Sequence, residues 1–520
     1  GPRRQRLRPR MACGAPPAAR VRCRRGRCDR SSLAGCRRGC WKEARRRANL
    51  LDAAGDWEHI WGVPVVQDPR APSPAAPPLR RPPAHQLSPH RQLLHFDRGQ
   101  ERGPERGRRW PPSGGGQRAA VPPPPPPADG VLRYAREFEG QACPVVEVPG
   151  GVLTKAVLDE LRLFFRPEDQ RPVVLRGLRL LPAALEKWDL EYLRSEMGGG
   201  ATYHTFRAPK EVDAFTYYFG DPIYTEASAH VCGPPTDELS LTFPEFCRHH
   251  ERQRKDPAGT GERHYLQDVL LCWNEQGVPA MPGGAGQSLN RDLEELDRAS
   301  LEALNRLGSL GRLAISQLFC SARGALVPVH VDQSQNLHQQ LRGRKRWLLF
   351  PPHAASSLYP YPQFHPMDLR ARVDLERPDF ERFPRLRDAL GQGIVAEVGP
   401  GDTLYIPVHW WHHVHSLEET NISVNFWFLD QGPQGQSGEA DAERVVFPLS
   451  PAGEFELARQ VEAFLVERCG ADGAEDFLRW VAAGRPADRA GAGWAACARY
   501  AVRRCLRLLD EPGARWLLQE

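Results

Sequence analysis

His330 and Asp332, two residues apart in Val327-Pro328-Val329-His330-Val331-Asp332, are of types and at a spacing that could do chemistry. Successive side chains of a strand alternate, so an imidazole and a carboxylate share one face while Val329 and Val331 take the other. His-x-Asp alone decides little, because it recurs as His95-Phe96-Asp97 in a Pro/Arg-rich stretch without a core-forming pattern. A metal that must also hold a substrate acid and oxygen needs a third protein ligand and three open positions, the two-histidine, one-carboxylate arrangement of non-haem Fe(II). The segment His409-Trp410-Trp411-His412-His413-Val414-His415 offers that ligand. Alternation separates His412 from His413 and His415 and leaves open which face looks inward. Lys345, inside Arg344-Lys345-Arg346-Trp347-Leu348-Leu349-Phe350, shares a strand face with Trp347 and Leu349, which places an ammonium in an apolar wall.

These residues need a scaffold that brings distant strands together. Residues 313–320, 326–332, 344–350, 394–398, 402–407, 412–416 and 421–428 read as strands at the spacing of an antiparallel sandwich or barrel, and a jelly roll is the natural closure. In 421–428, Asn421, Ser423, Asn425 and Trp427 take one face, with Ile422, Val424, Phe426 and Phe428 on the other. Upstream, 172–176 reads as a short strand, 187–193 as a helix start, 243–252 as a helix, 265–272 as a strand or turn and 279–287 as a loop. After Phe447 the period turns helical: Leu457, Val461 and Phe464 form one stripe, and Trp494, Ala498, Ala501, Cys505 and Leu508 another. These helices either pack on their own barrel or form a homodimer interface. The expected organisation is a basic region over 1–130, an α/β flanking part over 131–290, the catalytic core over 291–447 and C-terminal helices over 448–520.

Charge divides the chain of 520 residues in the same way. Residues 1–130 hold 27 Lys+Arg against 10 Asp+Glu, a net of +17, while the rest holds 43 against 54, a net of −11. Six consecutive prolines at 122–127 and Gly114-Gly115-Gly116 add to a composition expected to be disordered. Nucleic acid could be engaged only through this basic segment. It is Arg-rich and acid-poor like a transit peptide, but has few serines. The 13 cysteines are scattered, and Cys23, Cys28, Cys36 and Cys40 lack the spacing of paired zinc ligands, so no disulfide framework is read. With no signal peptide and no apolar run of about 18 residues, the expectation is no membrane and a reducing compartment, cytoplasm or nucleus.

Longer motifs then narrow the reading. LYPYP, VDLERPDFERFP, VGPGDTLYIPVHWWHHVHSL and VNFWF, with KWDLEYL and GERHYLQ upstream, occur in one order. Over roughly residues 131–510 the chain resembles the asparaginyl hydroxylases that inhibit hypoxia-inducible factor, JmjC-type Fe(II) and 2-oxoglutarate oxygenases. The resemblance implies a double-stranded β-helix of the cupin/JmjC kind, mainly β with flanking helices. It also implies Fe(II), 2-oxoglutarate and O2 as cofactors and a role in the hypoxia response. In the Trp-Trp-His-His motif the first histidine, His412, matches the family's distal iron ligand, which completes the set His330, Asp332 and His412. Lys345 matches the residue that pairs with the distal carboxylate of 2-oxoglutarate, a fitting partner for a buried ammonium. Tyr265, Asn336 and Asn425 match hydrogen-bonding partners of the cosubstrate.

Two positions depart from the family. Val327 stands where a threonine hydroxyl meets the cosubstrate carboxylate, which removes one hydrogen bond to a charged group, roughly 1.5–3 kcal/mol. Leu369 and Arg370 stand where an arginine-glutamine pair clamps the amide of the target asparagine. The expectation is therefore a protein hydroxylase of asparagine or aspartate at the β-carbon, acting on an extended peptide. A JmjC lysyl hydroxylase or histone demethylase, and a binding scaffold with little turnover, are the alternatives these residues leave open.

Overall fold

Two sheets face each other across a lumen, and the strands that build them come from the second half of the chain. The structure, a computed structural model, describes residues 135–482 apart from 167–168, 211, 213, 221–233, 257–260, 274–277, 282, 309, 362, 364 and 430–449. The basic region 1–130, the divisions drawn at 131 and 448 and the stripe from Trp494 to Leu508 lie outside the described residues.

Seven strands precede the barrel: β1 (Glu139–Ala142), β2 (Val145–Glu147), β3 (Val173–Arg176), β4 (Thr202–Ala208), β5 (Asp237–Thr242), β6 (Arg263–Trp273) and β7 (Pro279–Ala280). Eight more form it: β8 (Arg312–Ser321), β9 (Leu326–His330), β10 (Gln335–Arg342), β11 (Lys345–Phe350), β12 (Gly393–Val398), β13 (Asp402–Ile406), β14 (Trp411–Ser416) and β15 (Asn421–Leu429). One sheet runs β12-β11-β14-β9 and the other β13-β10-β15-β8, with every neighbour antiparallel within the eight. This is the jelly roll that the strand spacing predicts. β1 extends the first sheet, and β3 with β2 and β6 with β4 and β5 extend the second.

Alternation sorts the core into three layers. Val327, Trp347, Leu349, Ile406 and Val414 fill the lumen. Leu337, Leu341, Ile422, Val424, Phe426 and Phe428 face outward from the second sheet, against Leu161, Phe243 and Leu304 of the flanking helices and Trp188 just after another. Val329, Leu348, Phe350 and Trp411 face outward from the first sheet and are covered by Val373, Leu375 and Phe383 of the long connection after β11. The faces expected for 344–350 and 421–428 are those observed.

β10 was not expected, and its composition explains why. Gln335-Asn336-Leu337-His338-Gln339-Gln340-Leu341-Arg342 carries polar groups on both faces, so period-two hydrophobicity is weak. The structure satisfies them individually: the Gln339 side chain accepts from the Leu181 amide at 3.0 Å and donates to the Leu178 carbonyl at 2.8 Å. The two residues Gly343-Arg344 then carry the chain from the sheet of β10 to the sheet of β11. Gly343 has φ 69°, and a Cβ there would lie 2.2 Å from the Thr420 carbonyl oxygen, so only glycine fits. The helix start expected at 187–193 resolves into two helices, Pro182–Lys187 and Leu190–Met197, the second capped by the Asp189 side chain.

The helix Pro451–Ala482 contains the stripe of Leu457, Val461 and Phe464. Leu457 and Phe464 are buried. Arg459 bonds to Asp368 and, at 3.3 Å, to the Tyr361 carbonyl, which ties this part of the helix to its own barrel. No described helix is long and apolar enough to cross a membrane.

Candidate metal and cosubstrate site

His330 ends β9 and His412 lies opposite it on β14, so two imidazoles from distant parts of the chain meet with ring centroids 4.0 Å apart. Asp332 follows just beyond the end of β9, with Oδ2 3.8 Å from His412 Nε2. One ligand atom from each of the three falls within 4.8 Å of the other two. Both histidines are oriented in the same way. Nδ1 lies 2.8 Å from the Pro328 carbonyl in His330 and 2.9 Å from the Trp410 carbonyl in His412. A carbonyl only accepts, so Nδ1 carries the proton and Nε2 keeps its lone pair, the state in which imidazole binds a metal. Burial, with His412 alongside, also holds His330 well below the usual imidazole range and therefore neutral. Two imidazoles oriented through Nδ1 and a carboxylate, converging on one point, fit a divalent ion such as Fe(II).

The choice between the adjacent histidines is made by the strand face. His412 and Val414 look into the lumen, while His413 and His415 lie on the outer face beside Glu376. Between β14 and β9 alternation is broken on β9. Val327 opposes Val414 and His330 opposes His412, so Pro328 and Val329 together stand across from His413 alone. This β-bulge, at a proline that has no N–H to give to the ladder, turns both Val327 and His330 inward.

A cavity of about 220 Å3 opens from the three ligands. Its walls include Tyr217, Tyr265, Phe319, Val327, Trp347 and Trp427. Lys345 lies within it, 2% exposed, with Nζ 2.9 Å from Ser423 Oγ and 3.4 Å from the Tyr265 hydroxyl. Among the described residues no carboxylate pairs with it, and burial pushes its pKa down to about 7. A buried cation met only by two hydroxyls and the faces of Tyr265 and Phe319 fits an anionic ligand.

Asn336 and Asn425 also line the cavity, but their amides are engaged. Asn425 Nδ2 donates to Asn336 Oδ1 at 3.1 Å and Asn336 Nδ2 to Asp332 Oδ2 at 3.1 Å, while His338 Nδ1 lies 2.7 Å from Asn425 Oδ1. Burial holds His338 down to about 3, so it is neutral, and its single ring proton serves one of two oxygens, Asn425 Oδ1 or Gln340 Oε1, the latter 3.0 Å from Nε2. Trp427 Nε1 adds a second bond to Asp332 Oδ2, at 3.2 Å. Asp332 is therefore held in place by residues that themselves are held, the arrangement that fixes metal ligands in position.

Arg370 and Leu369 part company. Leu369 has φ 66°, a left-handed conformation that costs a bulky residue about 1–3 kcal/mol, and the turn sends neighbouring side chains opposite ways. Leu369 packs outside with Val329 and Val331, and Arg370 enters the cavity between the rings of Tyr217 and Phe219, each centroid 5.1 Å from its guanidinium carbon. Arg370 also pairs with His330 in an isolated bridge, which seats it beside a metal ligand. Asp368, which the C-terminal helix grips through Arg459, accepts from the Leu369 amide at 2.6 Å and braces this turn.

The site thus gathers His330, Asp332, His412, Tyr265, Asn336, Lys345, Asn425 and Arg370, and leaves Leu369 out. Sequence reasoning missed the roles of Ser423, Trp427, His338 and Tyr217. Ser423 and Trp427 share the inward face with Asn425, which could have nominated them. His338 lies in the unrecognised β10, and Tyr217 in a connection without periodicity.

Comparison with known proteins bears on the family of the chain. A model of the cupin-like domain matches residues 167–433. HSPB1-associated protein 1 of Bos taurus is 35% identical over 140 residues, 26% of this chain and 28% of that protein. Lysine-specific demethylase JMJ31 of Arabidopsis thaliana is 25% identical over 283 residues, 49% of this chain and 46% of that protein. Lysine-specific demethylase 8 of Xenopus tropicalis is 26% identical over 259 residues, 50% of this chain and 48% of that protein. In each case the match spans less than half of the relative's length.

Proposed function

The chain belongs to the cupin-like domain family, and from that premise we propose that it is an Fe(II)- and 2-oxoglutarate-dependent protein hydroxylase acting on aspartate or asparagine side chains. The observation that carries this reading is one cavity that holds both an oriented two-histidine, one-carboxylate cluster and a buried lysine without a carboxylate partner. His330, Asp332 and His412 would hold Fe(II), and Lys345 the distal carboxylate of 2-oxoglutarate. With O2 these cofactors supply the power to hydroxylate an unactivated C–H bond, 2-oxoglutarate leaving as succinate and carbon dioxide. The chain's own part is positioning. Ser423 and Tyr265 flank Lys345 with hydroxyls that would supply the bond Val327 lacks, and Trp347, Phe319 and Val414 line the site with apolar surface that excludes water.

Arg370 supports an acidic or amide-bearing substrate side chain. Its guanidinium offers donors in a fork that matches a carboxylate, so aspartate is favoured over asparagine. The relatives named lysine-specific demethylases support a second reading, removal of methyl groups from lysine. A cationic substrate would then have to approach a fixed arginine, which counts against it.

The deciding experiment couples two measurements on the full chain. Succinate formation that requires both Fe(II) and a peptide is expected, together with a gain of one oxygen atom by Asp or Asn peptides. Loss of methyl groups from methyl-lysine peptides without oxygen gain would favour the second reading, and iron-independent or absent succinate would overturn both.

A further inference from the structure

A second cluster of metal-binding groups lies on the outer face of β14, away from the cavity. His413 and His415 are 2% and 3% exposed, and they meet Glu376, whose side chain is 9% exposed, from the connection that covers this sheet. Glu376 Oε1 lies 3.2 Å from His413 Nε2 and 3.6 Å from His415 Nε2, and one ligand atom from each of the three falls within 4.8 Å of the others. These contacts are close without being aligned as hydrogen bonds. Glu376 Oε1 and His413 Nδ1 are both buried with no hydrogen-bond partner. A carboxylate oxygen left so between two imidazoles is costly, and a cation bound to all three would satisfy it.

The spacing also suits a particular ion. Zinc bonds of about 2.0–2.1 Å in tetrahedral geometry separate neighbouring ligand atoms by about 3.3 Å, which matches the two contacts through Glu376. Two imidazoles and one carboxylate form a zinc-binding donor set, with a solvent molecule as the fourth ligand. Neighbouring charges are already engaged: Arg346 bonds to Glu139, and Arg377 pairs with Asp374 at 3.3 Å. We infer that Glu376, His413 and His415 form a second divalent-metal site, for tetrahedral Zn2+, that clips the connection after β11 onto the outer face of β14. The turn carrying Arg370 lies in that same connection, ahead of Glu376, and its neighbour Ala371 bonds to Val329 at 2.9 Å, so the clip holds one rim of the cavity by way of the outer layer.

The test uses the full chain with Asp332→Ala, which disables the inner cluster, and Co2+ as a visible probe. About one equivalent of Co2+ should bind with the strong visible absorption of tetrahedral coordination, and Zn2+ should displace it and raise Tm. Adding Glu376→Gln, which keeps the side chain's shape, should weaken Co2+ binding at least about tenfold, the scale of 1.4 kcal/mol. The same change in the otherwise unaltered chain should remove one equivalent of zinc measured by mass spectrometry. Folded Asp332→Ala protein that binds no Co2+ would overturn the inference, and so would affinity and zinc content unchanged by Glu376→Gln, since the ion would then sit on other groups such as the scattered cysteines.

Discussion

One strand presents two histidine-carboxylate clusters, one on each face, and they differ less in composition than in preparation. On the inner face His330 and His412 have their Nδ1 atoms fixed on carbonyls, and Asp332 is held by Asn336 and Trp427. On the outer face His413 Nδ1 and Glu376 Oε1 have no such partners. The inner cluster opens on a cavity with a buried lysine, whereas the outer one is sealed beneath a packed connection. The same residue types thus serve two purposes: a ligand set oriented by its surroundings and open on one side is built to react, and a buried set in which Glu376 Oε1 and His413 Nδ1 stay unsatisfied is built to hold.

The largest expected effect separates the faces directly. Asp332→Ala or His412→Ala should lower 2-oxoglutarate turnover by more than about a thousandfold, because the metal loses one of its three protein ligands. His413→Ala should stay within a few-fold of the unaltered chain. Succinate release measured for the three variants checks this, and loss in His413→Ala with full activity in His412→Ala would reverse the assignment of faces.

Orientation itself comes next. Asn336→Leu keeps His330, Asp332 and His412 but breaks the chain of amide donors from Asn425 to Asp332, and should cost roughly 10–100-fold in Fe(II) affinity. Equilibrium dialysis with iron reads it, and an unchanged affinity would mean that Trp427 alone suffices to place the carboxylate.

Lys345 ranks third. Lys345→Met removes the charge and keeps the stem, so the KM for 2-oxoglutarate should rise at least about tenfold. A pH signature goes with it. Burial lowers the pKa of this lysine to about 7, so the ammonium that attracts the cosubstrate is present below that value and lost above it. Binding should therefore weaken as pH rises from about 6 to 8.5 in the unaltered chain, and the methionine variant should lack that slope.

How much of this was legible in the sequence depends on the side chain. Strands with one apolar face declare themselves, so β11 and β15 and the inward positions of Lys345, Trp347, Ser423 and Asn425 follow from alternation. β10 hides, because Gln339 is satisfied by a loop that no local pattern connects to it. His330 and Asp332 stand out by their spacing, while the choice of His412 over His413 as the third candidate rests on the resemblance and on the strand face in the structure. Asn336 reads as a cosubstrate contact, and its bond to Asp332, only four residues back, is made by the short segment that leads from β9 into β10, the strand whose pattern is hidden. Leu369 and Arg370 were read as a pair, and a left-handed turn at a leucine, which propensity disfavours, sends them to different layers.

That separation makes the substrate end testable with one substitution. Arg370→Gln exchanges a donor fork for an amide that both donates and accepts, so preference between matched Asp and Asn peptides should move toward Asn by about five- to tenfold. Leu369→Arg should move it little, since that side chain faces the outer layer. Competition between the two peptides, read by mass, distinguishes them, and an equal shift from both changes would mean that the turn and not the guanidinium sets the preference.

The smallest expected effect lies at Val327, where the bulge brings an apolar side chain into the cosubstrate end of the cavity. A threonine there has nearly the same shape and adds a hydroxyl, and the bulge already points it inward, so Val327→Thr requires no rearrangement of β9. Its hydroxyl would give a 2-oxoglutarate carboxylate one more donor, but Ser423 and Tyr265 already surround Lys345 with two. The gain should therefore fall below the roughly 1.5–3 kcal/mol of an isolated charged hydrogen bond, at about a three- to fivefold lower KM. The same exchange on the outer face, Val329→Thr, would bury a hydroxyl among Val331, Leu369 and Trp411 and should lower Tm without tightening the cosubstrate. Measuring KM and Tm for both variants tests the two faces at neighbouring positions of one strand. If Val329→Thr tightens the cosubstrate and Val327→Thr does not, the bulge has been placed on the wrong side of Pro328.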